Sequence, residues 1–210
     1  MKQKFFNFNF KKNYSKFDFY VSKSNYEAYN SLINNNILKH IILKGPLKSG
    51  KTHLALIWKD KNHAVDFSSN NYEKLINQNK NIFLDNINSN INEEQLFHLI
   101  NHCFNNNLKI LITTNQNINN IKLKLNDLIS RLNSFHLLEI KNPDDDLINN
   151  LLIKLLYDKQ IKITNDDIFS YIIKRINRSY NDIYQFVEKI DKLSLEKKRE
   201  LTIPLIRELM

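Results

Sequence analysis

Eight consecutive residues, Gly45-Pro46-Leu47-Lys48-Ser49-Gly50-Lys51-Thr52, fit the pattern G-x-x-x-x-G-K-[ST] at every fixed position. These residue types at this spacing suit a polyphosphate. Glycines let backbone N–H groups close around phosphate oxygens, a following helix N-terminus adds partial positive charge, and Lys51 neutralises the outer phosphates. Thr52 offers a hydroxyl to Mg²⁺, and His53 is grouped with the loop as nucleotide-binding. The chain has 2 glycines in 210 residues, and both lie in this loop.

Asn81-Ile82-Phe83-Leu84-Asp85-Asn86 supplies the other half of such a site: an apolar strand that delivers a carboxylate at its C-terminal end, where open parallel sheets bind ligands. Asp85 is the expected Mg²⁺ partner, directly or through water. An Asp ending a strand is commonly a turn residue, and the loop upstream is what favours the functional reading. The next position holds Asn86, which cannot act as a base on attacking water. The expectation is therefore nucleotide bound with Mg²⁺ and hydrolysed slowly by the chain alone, since a positioned base contributes about 10² to 10⁴ in rate.

The loop needs a strand before it and a helix after it, and the sequence provides both. Residues 39 to 44 form a short apolar run that ends at Gly45, and residues 50 to 60 have helical character. Similar runs at 63 to 67, 81 to 85, 109 to 113 and 135 to 140 alternate with segments of helical period such as 93 to 104. Five strands alternating with helices predict an α/β layer built on a parallel sheet. After Pro143 the period becomes helical throughout, at 144 to 157, 164 to 176 and 179 to 193, with Pro204 where a last helix begins. A small all-helical lid is expected to follow the α/β base. Asp144, Asp145 and Asp146, and likewise Asp166 and Asp167, fall in first helical turns and read as capping charges. Asn clusters at 34 to 36, 105 to 107 and 119 to 120 read as loops.

Composition narrows the remaining classes. The 42% apolar content suffices for a core, and no apolar run is long enough to span a bilayer, so no membrane association is expected. The first residues break their aromatics with Asn and Lys, unlike a signal peptide, and the single Cys103 fits a reducing compartment; a cytoplasmic location follows as an expectation. The net charge of +9 is spread without a basic block, so DNA is expected to be bound only weakly or indirectly. His98, His102 and Cys103 share helical spacing, but three potential ligands without a fourth on a core-facing helix read as packing.

With these residues in view, the chain resembles a known family: the AAA+ replication-initiation regulators of the DnaA and Hda group, the Hda branch above all. Asp18-Phe19-Tyr20-Val21-Ser22-Lys23-Ser24-Asn25 resembles the family's D-F-x-V-x-x-S-N segment near the nucleotide base, which implicates Val21 and Asn25. Leu84-Asp85-Asn86-Ile87 resembles the I-D-N-I form of Hda proteins. Leu111 to Asn115 resembles the sensor-1 strand, implying Asn115 as the polar sensor, with Thr114 second. Leu125-Asn126-Asp127-Leu128-Ile129-Ser130-Arg131-Leu132 resembles D-L-x-S-R-L, whose arginine enters a neighbouring subunit's site as a finger; on residue chemistry alone Arg131 would be an ordinary surface arginine. Residues 199 to 209 resemble the R-x-L-T-I-P-x-x-x-E-[IL] ending of Hda proteins.

The resemblance implies three regions: a clamp-binding peptide and linker at 1–17, the nucleotide-binding domain at 18–142 and the lid at 143–210. In the first, Gln3, Phe6 and Phe8 are the anchors for a DNA sliding clamp, with Lys4 where Leu is usual. At the lid's sensor-2 position stands Asn181, with Arg178 one turn earlier. ADP or ATP with Mg²⁺ is the implied cofactor, and the DnaA initiator and the clamp's beta subunit are the implied partners, with homo-oligomers open. The chain ends after the lid, so a helix-turn-helix reader of origin DNA is not expected. The expected function is to promote ATP hydrolysis by DnaA and so limit re-initiation. Two alternatives stand beside it: an autonomous AAA+ ATPase, such as a DnaC-like helicase loader on single-stranded DNA, and a nucleotide-stabilised tether.

Overall fold

A computed structural model describes residues 18–35, 37–161, 163, 165, 167–197 and 199–209. Gln3, Phe6 and Phe8 of the clamp-binding peptide, and Asp166, lie outside the described residues.

The chain enters through helix α1 (Tyr26–Tyr29), continued by a π-helical segment Asn30–Asn35. Five strands follow, β1 (His40–Lys44), β2 (Val65–Asp66), β3 (Ile82–Leu84), β4 (Ile110–Thr114) and β5 (His136–Glu139). They are connected by helices α2 (Lys51–Lys61), α3 (Tyr72–Gln78), α4 (Glu93–Asn105) and α5 (Asn126–Asn133). All strand pairs are parallel, in the order β2-β3-β4-β1-β5.

The strands carry near-continuous apolar runs because helices cover both faces of the sheet. Along β1, β3 and β4 side chains alternate between two cores, as a pleat demands. Ile42, Ile82, Leu84, Ile110 and Ile112 join the core beneath α3, α4 and α5, which includes Leu96, Leu99, Ile100 and Leu128. Ile41, Leu43, Phe83 and Leu111 point the other way, onto Ala28, Leu32, Leu54 and Trp58 of the α1 and α2 layer. A third core belongs to the lid: α6 (Asp145–Asp158), α7 (Asp167–Ile173), α8 (Tyr180–Lys197) and α9 (Ile203–Arg207), packed through Ile148, Leu152, Ile172, Ile183 and Ile206. No helix among the described residues is long and apolar enough to cross a membrane.

The expected elements are present, and their ends differ for physical reasons. The edge strand β2 keeps two of its five expected residues, since His63 adopts a left-handed turn (φ 49°) as the chain leaves α2. The Asn34 to Asn36 loop is corrected over its described part: Asn34 and Asn35 continue the helix in π form, because Leu32 and Ile33 are buried there. Asn119 and Asn120, also expected as loop, close a short 3₁₀ turn, Ile118–Asn120, over buried Ile118. Asp144 caps α6 by accepting from the Leu147 amide at 2.8 Å.

Trp58 is fully buried on α2, the helix that begins at the phosphate loop. Trp58→Ala is expected to cost about 3–5 kcal/mol of unfolding free energy. Urea unfolding followed by far-UV circular dichroism measures it, and an unchanged midpoint would mean that α2 is not clamped through this ring.

Candidate functional site

The loop 45–50 leaves the C-terminal end of β1 and turns into α2. Main-chain bonds fix its two ends: the Gly45 amide donates to Thr114 O at 3.2 Å, and the Leu54 amide to Gly50 O at 2.9 Å. Gly45 is packed so closely that an added Cβ would lie 2.9 Å from Ser49 Oγ and 3.0 Å from Ile140 Cβ. Gly50 has φ +86°, and a Cβ there would meet the Phe19 ring at 3.2 Å. α2 starts beside Gly50 without a side-chain cap, so its first amides and its dipole face the loop.

Lys51 folds back into this loop. Its ammonium donates to Gly45 O at 2.9 Å and Pro46 O at 2.6 Å, both neutral acceptors. Burial lowers its pKa to about 8, against the opposing pull of Asp85. A buried cation held by carbonyl oxygens at the start of an uncapped helix is built for an anion, and the residues present fit a phosphate.

Asp85 follows β3 directly and is clasped from two sides. Thr52 Oγ1 donates to its carboxylate at 3.0 to 3.2 Å, and Thr113 Oγ1 at 2.6 Å. Thr113 also accepts the Asn86 amide at 2.7 Å. Asn86 sits in the left-handed region (φ 55°), where Asn is tolerated better than bulkier residues, and its side-chain oxygen accepts from Asn115 Nδ2 at 3.0 Å. Two neutral amides thus stand beside Asp85 where a base would otherwise be. Thr114, the second sensor-1 candidate, is buried, and its hydroxyl is engaged with Gln116 O at 2.9 Å and Gln116 N at 3.2 Å. Hydroxyl and carboxylate oxygens drawn together at Thr52 and Asp85 fit a hard divalent cation such as Mg²⁺.

Around this centre the other candidates divide. Phe19 roofs the loop, stacked on Tyr29 at 5.8 Å and edge-on to His53 at 5.4 Å. Asn25 is buried and braces its own turn, accepting from Ser22 N and donating to Tyr20 O, both at 2.9 Å, with Val21 half-buried between them. Asp144 reaches beyond its cap to accept from Ser24 N at 3.0 Å, joining the lid to that turn. Burial alone would raise its pKa, but hydrogen bonds from Leu147, Ser22 and Ser24, with Lys23 nearby, hold it below the ordinary value. In the lid, Arg178 pairs with Asp145 at 3.0 Å on an exposed surface. Asn181 lies in the first turn of α8, three residues before Tyr184, whose ring lies 5.3 Å from the ammonium of the loop's Lys48.

Arg131 is elsewhere. It is exposed in the last turn of α5, over the ring of Phe104 at 5.2 Å, and Phe104 stacks at 3.8 Å on His40, the first residue of β1. The phosphate loop leaves the far end of that strand, so roughly 16 Å of sheet separates the two. Arg131 is therefore out of reach of its own phosphate loop.

The family model for the Hda lid domain matches residues 153–210. The chain is 25% identical to the chromosomal replication initiator protein DnaA of Buchnera aphidicola subsp. Cinara cedri, over 95% of this chain and 53% of that protein. Domain III of the Thermotoga maritima replication initiation protein DnaA superposes with a TM-score of 0.73 at 15% identity, covering 94% of this chain and 95% of that one. The chain has the α/β P-loop fold of DnaA domain III, and its lid region is similar to the Hda lid domain. AMPPCP-bound DnaA from Aquifex aeolicus has the same fold, with a TM-score of 0.66 at 18% identity over 88% of this chain and 68% of that one. The chain spans about half the length of the curated relatives it matches.

Thr113, Phe19 and Tyr184 escaped the sequence reading. Phe19 carried a signal as the aromatic of the D-F-x-V segment, and Thr113 as a polar residue at the buried end of a strand beside the Asp85 strand. Thr113→Val keeps shape while leaving the Asn86 amide and an Asp85 oxygen without that hydroxyl. A loss of about 1–3 kcal/mol is expected, measured by chemical unfolding; no loss would mean that the clasp is not structural.

Proposed function

We propose that this chain binds an adenine nucleotide with Mg²⁺ and, as a regulator of replication initiation, promotes hydrolysis of the ATP held by the DnaA initiator. Phosphates would lie on the loop 45–52 against Lys51, with the base toward Phe19, Val21 and Asn25. Thr52 and Asp85 would hold Mg²⁺, which supplies charge neutralisation on the phosphates. Asn115 would lie nearest the outer phosphate, and Asn181 and Arg178 would report from the lid. The AMPPCP carried by the Aquifex aeolicus relative supports this reading.

One observation carries the regulatory half: the phosphate site and Arg131 lie at opposite ends of β1, and the phosphate site has Asn86 where a base would be. Binding and stimulation are thus divided between two edges of one sheet. A guanidinium suits charge spread over phosphoryl oxygens, and an arginine supplied in trans contributes about 10³ to 10⁵ in rate. Gln3, Phe6 and Phe8 would tether the chain to the sliding clamp in a cytoplasmic setting.

Phosphate release is followed with this chain, nucleotide, clamp, DNA and ATP-bound DnaA. Wild type is expected to accelerate release, and Arg131→Ala to lose that acceleration by at least about 10³-fold. Stimulation that survives in the variant favours a tether, and rapid turnover without DnaA favours an autonomous ATPase.

Lys51 makes nucleotide affinity depend on pH. Its pKa of about 8 rises when a polyphosphate is bound, so binding takes up a proton above that value. ADP affinity is expected to be level up to about pH 7.5 and then to fall by up to about tenfold per pH unit. Calorimetric titrations across that range check the slope; a flat profile would remove Lys51 from the phosphate contact.

A further inference from the structure

An exposed arginine on a short surface helix samples many rotamers, and each must be given up before its guanidinium can enter a partner's site. Arg131 has a device against this. Its guanidinium carbon lies over the Phe104 ring at 5.2 Å. That ring is stacked on the His40 imidazole at 3.8 Å and 14°, a separation that leaves no room between them, so Arg131 and His40 use opposite faces. Phe135, buried just before β5, closes the cluster at 6.1 Å from Phe104 and 5.8 Å from His40.

We propose that Phe104, backed by His40, is a positioning residue that presents Arg131 to the partner. The inference rests on the reading of Arg131 as a finger, and it adds the element that aims it.

Both supporting rings are fixed by the sheet. His40 is the first residue of β1, and its ring hydrogen-bonds to the backbone of Leu108, the residue before the approach to β4. Its Nε2 is buried without a partner among the described residues, so protonation there would create an uncompensated cation. Burial lowers its pKa, opposed by the Leu108 hydrogen bond and reinforced by Lys39 and His136. The neutral imidazole therefore backs the ring while the free ring face attracts the guanidinium. α5 is held in turn by Glu93 at the start of α4, which accepts from the Lys124 and Leu125 amides at 2.9 and 2.7 Å.

A positioning role alters the stimulated rate more than the affinity for the partner. With the full chain, clamp, DNA and ATP-bound DnaA, Phe104→Leu and Phe104→Met are expected to lower the saturated rate about 2–30-fold. Half-saturation should stay within about twofold, and Phe104→Tyr should restore the rate. In NMR spectra of the chain alone, the Arg131 side-chain signal should carry a ring-current shift that Leu and Met remove and Tyr retains. A wild-type rate and an unmoved Arg131 signal in Phe104→Met would overturn the platform while Arg131→Ala still abolishes stimulation. If Arg131→Ala leaves stimulation intact, the finger reading itself fails, and the platform with it.

Discussion

Lys51 is a cation held inside a ring of neutral oxygens. Its ammonium, buried and bonded to Gly45 O and Pro46 O, receives from those carbonyls only part of what water would give it. The nearest compensating charge, Asp85, is shared with the Thr52 and Thr113 hydroxyls. The arrangement favours whatever anion can enter the loop, because the anion replaces poor acceptors with charged ones and raises the pKa that burial had lowered. Everything that shapes the loop serves to keep that ammonium dry and aimed: Phe19 over Gly50, Ile140 against Gly45 and the packed Trp58 beneath α2.

A parallel sheet makes a second consequence unavoidable. All strand ends of one kind lie along one edge, so Gly45, Asp85 and Asn115, each following a strand, converge there. All strand beginnings lie along the other edge, and that is where His40, Phe135 and the end of α5 meet. One sheet therefore offers two chemically different rims. Arg131, on the second rim, is out of reach of its own phosphate loop.

Much of this was legible in the residues. Buried parallel strands need apolar runs on both faces, so five of them stood out between polar helices, and the only two glycines marked the loop. The loop reading of the Asn105 to Asn107 cluster holds at Asn106 and Asn107 for a physical reason: with so few glycines, Asn107 takes a left-handed position (φ 58°), as Asn79 and Asn86 do elsewhere (φ 46° and 55°). What stayed hidden depends on pairs distant in sequence. Nothing local tells that Thr113 will touch Asp85, that Phe104 will lie between His40 and Arg131, or that Asp144 will hold Ser24. The π-helical Asn34 and Asn35 were read as loop because composition outweighed two buried neighbours, Leu32 and Ile33.

Asp144 shows why the lid belongs mechanically to the nucleotide's surroundings. Its two oxygens accept from Leu147 N in the lid and from Ser24 N in the turn that Asn25 braces, while the Ser24 carbonyl accepts from Lys141 N and the Tyr180 hydroxyl donates to Lys141 O. A change in the turn beside Phe19 thus reaches the starts of both α6 and α8. From the other side, Tyr184 of α8 meets Lys48 of the loop, one turn beyond Asn181. With Asn at 181, the lid meets the loop there through an aromatic face and a lysine. That contact is weaker than a guanidinium on phosphate would be, so the lid is held to the rest of the chain chiefly through the bonds of Asp144 and Tyr180.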